Sequence, residues 1–198
     1  MSSPQFATRP GGRTARVRSD VLRATEQELA EHGYESLAID AVAARSGVHR
    51  TTIYRRWKTV DGLLSDLLEA GRDDHWAPAD TGSLESDLIA LNREVHAALA
   101  SGPSVTTAVI AASFRTPQAA AALTRFWDDR YERSAVLVTR AAERGEIPAD
   151  TAAEDVVMAA TSPIYHQLVL RRRAMSRADA DWLARATAAA AKAGAFAR

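Results

Sequence analysis

Between positions 49 and 58 the chain carries His49, Arg50, Thr51, Thr52, Tyr54, Arg55, Arg56 and Lys58, interrupted only by Ile53 and Trp57. Cations, hydroxyls, a phenol and an imidazole at this density are chemistry suited to a polyanion. An Arg fork bonds guanine through two parallel hydrogen bonds, while hydroxyls, phenols and ammonium groups hold phosphate oxygens. No Asp or Glu lies between Asp40 and Asp61, so nothing in the stretch repels a phosphate backbone. The expected roles are base reading by Arg50 and Thr51 and phosphate contact by Thr52, Tyr54 and Lys58, with His49 and Arg55 beside them. Catalytic chemistry finds no comparable set of residues. The chain has no cysteine, hence no disulfide framework and no thiolate nucleophile or metal ligand. It has no Walker loop and no G-x-S-x-G turn, and neither His96 nor His166 has an obvious nucleophile beside it. Asp73, Asp74 and His75 sit in a polar stretch with no further cluster to complete four ligands, so no metal and no cofactor are expected. The chain reads as a non-enzyme.

The elements that must hold this stretch are legible around it. Ile39, Val42 and Ala43 recur at i, i+3 and i+4, which predicts a short helix over residues 39–46 with one buried face. Gly47 follows, where a helix end favours a left-handed residue. A second helix is expected over 50–56, its Ile53 and Trp57 turned inward at i, i+4 and its remaining side chains left for solvent or a ligand. A leucine-rich helix with Leu63, Leu64, Leu67 and Leu68 starts near Thr59. Upstream, Val17, Val21, Leu22, Thr25 and Leu29 predict a helix over about 14–32 that stops at Gly33. Two short helices around a glycine turn, the second rich in basic groups, form the layout of a helix-turn-helix whose second helix lies in the major groove.

The stretches HGYESLAIDAVAARSGV, TTIYRRW and DGLL resemble the TetR family of bacterial transcriptional repressors over roughly residues 14–70. The resemblance implies that Tyr54 grips a phosphate and that Thr52 does the same. It departs at two positions. His49 stands where the family usually has Ser, which implies a poorer cap for the reading helix, and Val60 stands where it usually has Lys, a contact that nearby Lys58 could replace.

Charge follows the same division. Residues 1–60 hold ten Arg and Lys against six Asp and Glu, while the rest of the chain holds fifteen against nineteen, so a net charge of zero hides a basic N-terminal part. Residues 1–13 read as a disordered basic arm. Arg9, Arg13, Arg16 and Arg18 are expected to reach phosphates or the minor groove, and Arg16 is the one placed among the DNA contacts. No apolar run is long enough to span a membrane and no signal-like segment is evident, so a cytoplasmic location is expected.

The segment 71–83 is rich in Gly, Pro and Asp and is read as the boundary before a second helical domain, residues 71–198. Helices are expected over 84–100, about 103–113, 117 to Arg144, about 151–172 and 177–193, with Pro117 at a first helical position. Capping boxes are read at Thr151-x-x-Glu154 and Ser176-x-x-Asp179. Pro163 should kink the helix that contains it. The fold class is all-α, an N-terminal helix-turn-helix domain plus a C-terminal helical domain, about nine helices in total. Phe126, Trp127, Tyr131, Tyr165, His96 and His166 are the expected ligand-pocket residues, with core or dimer packing as the alternative for the aromatics. Val156, Ala160, Ile164 and Leu168 form one stripe and Trp182, Ala186 and Ala190 another. In the TetR family the corresponding helices meet a twofold mate as a four-helix bundle, and the alternative is that both stripes pack inside one subunit. The functional expectation is a homodimeric repressor that binds a palindromic double-stranded DNA operator and is released by a small organic effector. A helical interaction module, or a DNA-binding regulator that takes no small ligand, remains as the alternative.

Overall fold

The computed structural model describes residues 11–72, 75–100 and 104–198. Among these residues the chain forms nine α-helices, α1 Gly11–His32, α2 Ile39–Ser46, α3 Arg50–Trp57, α4 Val60–Arg72, α5 Leu84–Ala100, α6 Val105–Ser113, α7 Pro117–Glu143, α8 Ala153–Tyr165 and α9 Arg177–Lys192. A single bridge between Thr151 and Ala197 is the nearest approach to a sheet among them. Helix α1 begins three residues earlier than the expected start at residue 14, so residues 11–13 are its first turn. The rest of the arm, the Asp73-Asp74 pair and the Gly102-Pro103 break lie outside the described residues. Helix ends fall where local chemistry puts them. Gly33 and Gly47 take φ of 74° and 67°, the left-handed region that a Cβ penalises. Thr116 caps α7 through the backbone N–H of Ala119, with Pro117 in the first turn. Ser176 and Asp179 form the expected reciprocal capping box. The box expected at Thr151 is absent, because the Thr151 hydroxyl donates to the Pro148 carbonyl at 2.6 Å and α8 starts later, after Ala152.

Helices α1 to α4 bury Val21, Leu29, Val42, Ile53, Trp57, Leu63 and Leu64 together. The same cluster takes in Ala108, Val109 and Ala112 of α6 and Ala119 and Ala122 of α7. The linker therefore divides the chain but not the packing: the first core runs directly into two helices of the second region. Contact between α3 and α4 is close enough that a Cβ on Gly62 would lie 2.1 Å from the Trp57 carbonyl oxygen.

Asp66 of α4 fixes this corner. It accepts from the Arg18 guanidinium at 2.8 Å and from Trp57 Nε1 at 2.8 Å. Arg18 is thus committed to the fold and is not one of the phosphate contacts expected of it. Burial pushes the Asp66 carboxyl up, but the Arg18 and Trp57 hydrogen bonds and the Arg18 and Arg56 charges outweigh it, and the group titrates below the ordinary 3.8. A depressed folded-state value gives stability that is present above the unfolded value and disappears as pH falls through the folded one. Asp66→Asn should therefore cost about 1–2 kcal/mol near neutrality. In thermal melts taken from about pH 7 down to about pH 3, the gap between wild type and variant should close. A gap that stays constant would show that the carboxylate charge contributes nothing.

The second cluster joins Leu84, Leu88 and Leu91 of α5, Leu137, Val138 and Ala141 of α7, Val156, Val157 and Ala160 of α8 and Ala184, Ala188 and Ala191 of α9. Alanines let α5, α8 and α9 approach closely enough for the buried Asn92 amide to donate to both the Ala160 and Ala180 carbonyls at 3.0 Å. This corrects the expected interface stripe. Val156, Ala160 and Ile164 are fully buried within the single chain, and Leu168 packs beside Leu99 and Ile164. The outward faces of the same helices carry Met158, 41% exposed, and Trp182, 61% exposed, with Ser162, Ala186 and Ala189 also exposed. Ala190 is half-buried. Past Pro163 the chain does not continue as an α-helix to residue 172. It widens after Tyr165 into a π-helical turn, His166–Leu170, closed by the Arg171 N–H on the His166 carbonyl at 2.8 Å.

Candidate functional site

Helix α3 presents the side chains expected of a reading helix. Ile53 and Trp57 are buried, which turns the opposite face outward: Arg50, Thr51, Tyr54, Arg55 and Arg56 are exposed and Thr52 is half-buried. His49 is the N-cap, its Nδ1 accepting from the Thr51 N–H at 3.4 Å. The imidazole thus occupies the role of the family's Ser, at a distance long enough to make the cap weak. Lys58 is exposed at the C-cap with φ 63°, and its N–H donates to the Tyr54 carbonyl at 3.0 Å. Val60 packs against the first core.

Arg50 is engaged in the free chain. Its Nε lies 2.9 Å from the Asp40 carboxylate and its guanidinium sits 5.2 Å from the Tyr54 ring centroid. Both members of the ion pair are well exposed, so the pair is worth little in water and can be exchanged for a base edge. Beside the turn, Arg13, Thr14 and Val17 of α1 form a groove with Gly47, Val48, His49, Thr52, Arg55 and Arg56. Arg16 is exposed on the same helix but does not line that groove; Arg13, placed in the arm by sequence, does.

A second feature lies among α5, α7 and α8. Four of the aromatic residues expected in a pocket, Phe126, Trp127, Tyr131 and Tyr165, line one cavity of about 280 Å³. Their rings meet edge to face, with centroids 5.3 Å apart for Phe126 and Trp127 and 4.9 Å for Trp127 and Tyr165, a favoured arrangement. Burial pushes the phenols of both Tyr131 and Tyr165 up, so both stay neutral near pH 7. The two histidines expected with them are elsewhere. His96 contacts the Met175 carbonyl through Nε2 at 2.8 Å, and His166 is exposed at the head of the π-helical turn. Sequence reasoning missed Trp76, Glu94 and Arg130, all of which line the cavity. Arg130 was recoverable, since it is i+4 from Phe126 on the same face of α7. Trp76 was not, because it lies in an irregular segment with no period.

Comparison with known proteins agrees with this geometry. Residues 21–67 match the model described as bacterial regulatory proteins, tetR family, and residues 78–187 match the tetracyclin repressor-like C-terminal domain. The chain belongs to the TetR family. Its relatives include the HTH-type transcriptional regulator AqdR of Rhodococcus erythropolis, 32% identical over 162 residues, which cover 80% of this chain and 77% of that one. Among solved structures, the TetR family transcription regulator SCO0332 superposes with a TM-score of 0.70 at 27% identity, covering 88% of this chain and 97% of the other. GusR of Salmonella enterica shares the fold with a TM-score of 0.64 at 20% identity, covering 96% of each chain. As a TetR-family member the protein is a DNA-binding transcriptional regulator and not an enzyme. No single helix among the described residues is long and apolar enough to cross a membrane.

Proposed function

We propose that this TetR-family protein is a homodimeric repressor that binds a palindromic operator and leaves it when a small organic molecule enters the aromatic cavity. The observation that carries this reading is the continuity between reader and cavity. Phe126 belongs to the cavity lining and also packs against the core that holds α3 and α4. A rearrangement at Phe126 is therefore felt by the reading head. A ligand shifts such an equilibrium only by preferring one conformation, and the favoured one must space the two heads wrongly for successive major grooves, about 34–36 Å apart. Dimerisation is supported by the exposed Met158 and Trp182 on the outward side of α8 and α9, since large apolar groups left outside one subunit mark an interaction face. A short reading helix also contacts too few bases alone to compete with non-specific DNA.

Gel-shift titration on the DNA upstream of the coding region, with and without molecules that raise the melting temperature, tests this. A palindromic fragment shifted at low protein concentration and released by a stabilising molecule is the expected result. A shift that ignores sequence, or stabilising molecules that leave the shift untouched, would overturn repression by induction. Within the reader, Arg50→Ala should relax specificity at one base pair per half-site, at about 1–3 kcal/mol there. Tyr54→Phe should weaken operator and random DNA alike. Equal loss on both DNAs for Arg50→Ala would remove it from base reading.

A further inference from the structure

The cavity lining holds two charged side chains, Glu94 and Arg130, and their surroundings differ. The Arg130 guanidinium lies 4.7 Å from the Trp76 ring centroid and 5.2 Å from that of Phe126, and its Nη2 donates to the Gly71 carbonyl at 3.1 Å. Two of the cavity's rings are thus already in contact with a cation. Ring faces carry negative potential and attract cations, more strongly where water is excluded. Glu94 is exposed and accepts a hydrogen bond from the Trp76 indole N–H at 2.9 Å, a neutral donor that places no positive charge beside the carboxylate. Trp127, Tyr131 and Tyr165 add three further aromatic walls.

Resting on the reading that this cavity is the effector site, we propose that the effector is an organic cation, an amine or quaternary ammonium with an aromatic or apolar body. Its charge would lie against the ring faces and the Glu94 carboxylate. An anion would face Glu94 and the π faces, and would have to draw Arg130 from two rings and a carbonyl. A neutral molecule would gain only apolar contact. Binding of a cation also has a direction. It competes with Arg130 for Trp76 and Phe126 and repels the guanidinium. The Arg130 bond to Gly71 near the end of α4 is what ligand entry loosens, and α4 carries Asp66 and Gly62 against the reading helix.

The test uses the full-length chain and three probes of similar shape: benzyltrimethylammonium, the neutral isostere neopentylbenzene and the anion phenylacetate, each titrated by calorimetry. The cation should bind about tenfold or more tightly than either of the others, and Glu94→Gln should remove that preference. Arg130→Gln gives an opposite sign for the two charge assignments. It should tighten binding of the cation, since an internal competitor has gone, whereas an anion site would lose affinity. Tighter binding of phenylacetate or of the neutral probe, a preference that survives Glu94→Gln, or weaker cation binding by Arg130→Gln would each overturn the charge assignment while leaving the cavity as effector site. No binding by any of the three probes would overturn this inference together with the reading on which it rests.

Discussion

Gly62→Ala should destroy operator binding and lower the melting temperature of the reading head. The added Cβ would lie 2.1 Å from the Trp57 carbonyl oxygen, and that oxygen belongs to backbone, which cannot rotate away as a side-chain end can. Helix α4 would have to withdraw from α3. That withdrawal pulls at the Trp57 bond to Asp66 and tilts the exposed face that carries Arg50, Tyr54 and Arg55. Helix propensity would by itself favour alanine by about 1 kcal/mol, but overpacking against fixed structure costs roughly 3 kcal/mol or more, so the clash decides the sign. For a chain of this size the net loss of about 2 kcal/mol or more corresponds to a fall of at least roughly 4–8 °C. Gly71→Ala is the control. It lies in the same helix, a Cβ there meets nothing within 4 Å, and the substitution should be neutral or stabilising. Calorimetry and gel shifts on both variants check this. Similar behaviour of the two would show that the α3–α4 approach does not govern the reader.

Trp182→Glu is expected to separate the subunits. Trp182 is 61% exposed within one chain, so the substitution leaves the internal core untouched. A buried tryptophan at the centre of an interface contributes on the order of 2–4 kcal/mol of association free energy, and a glutamate there faces its own symmetry mate as well as losing water. Light scattering should report a single-subunit mass with helical content unchanged. Operator affinity should drop by about 10³ or more, toward the non-specific range, because one head reads only half a site. A dimeric variant with full operator affinity would place the interface elsewhere. Had Val156, Ala160 and Ile164 formed the interface, substitutions there would have tested assembly; being buried inside the subunit, they would test folding.

Local signals were readable in the sequence wherever a few neighbouring residues decide the outcome. The spacing of Ile39, Val42, Ile53 and Trp57, the turn at Gly47, Pro117 as first helical residue and the Ser176 box each depend on chemistry within about one helical turn. The first two of these determined the reading helix and its outward face, and the stretches HGYESLAIDAVAARSGV, TTIYRRW and DGLL carried the resemblance to the TetR family. Local reading failed where a distant partner competes. Thr151 matches a capping box, but its hydroxyl is taken by Pro148. Arg18 looks like a free phosphate contact in a basic stretch, yet Asp66, 48 residues away, claims it. The stripe of Val156, Ala160 and Ile164 shows that one face of α8 is buried. An apolar period cannot say whether a neighbouring helix or a second subunit buries it, and only the packing of α5 and α9 decided that. The cavity divides in the same way: Phe126, Trp127 and Tyr131 share a helix and were found by spacing. Arg130 shares that helix and its spacing, whereas Trp76 and Glu94 come from two other segments that only tertiary folding brings around the same space.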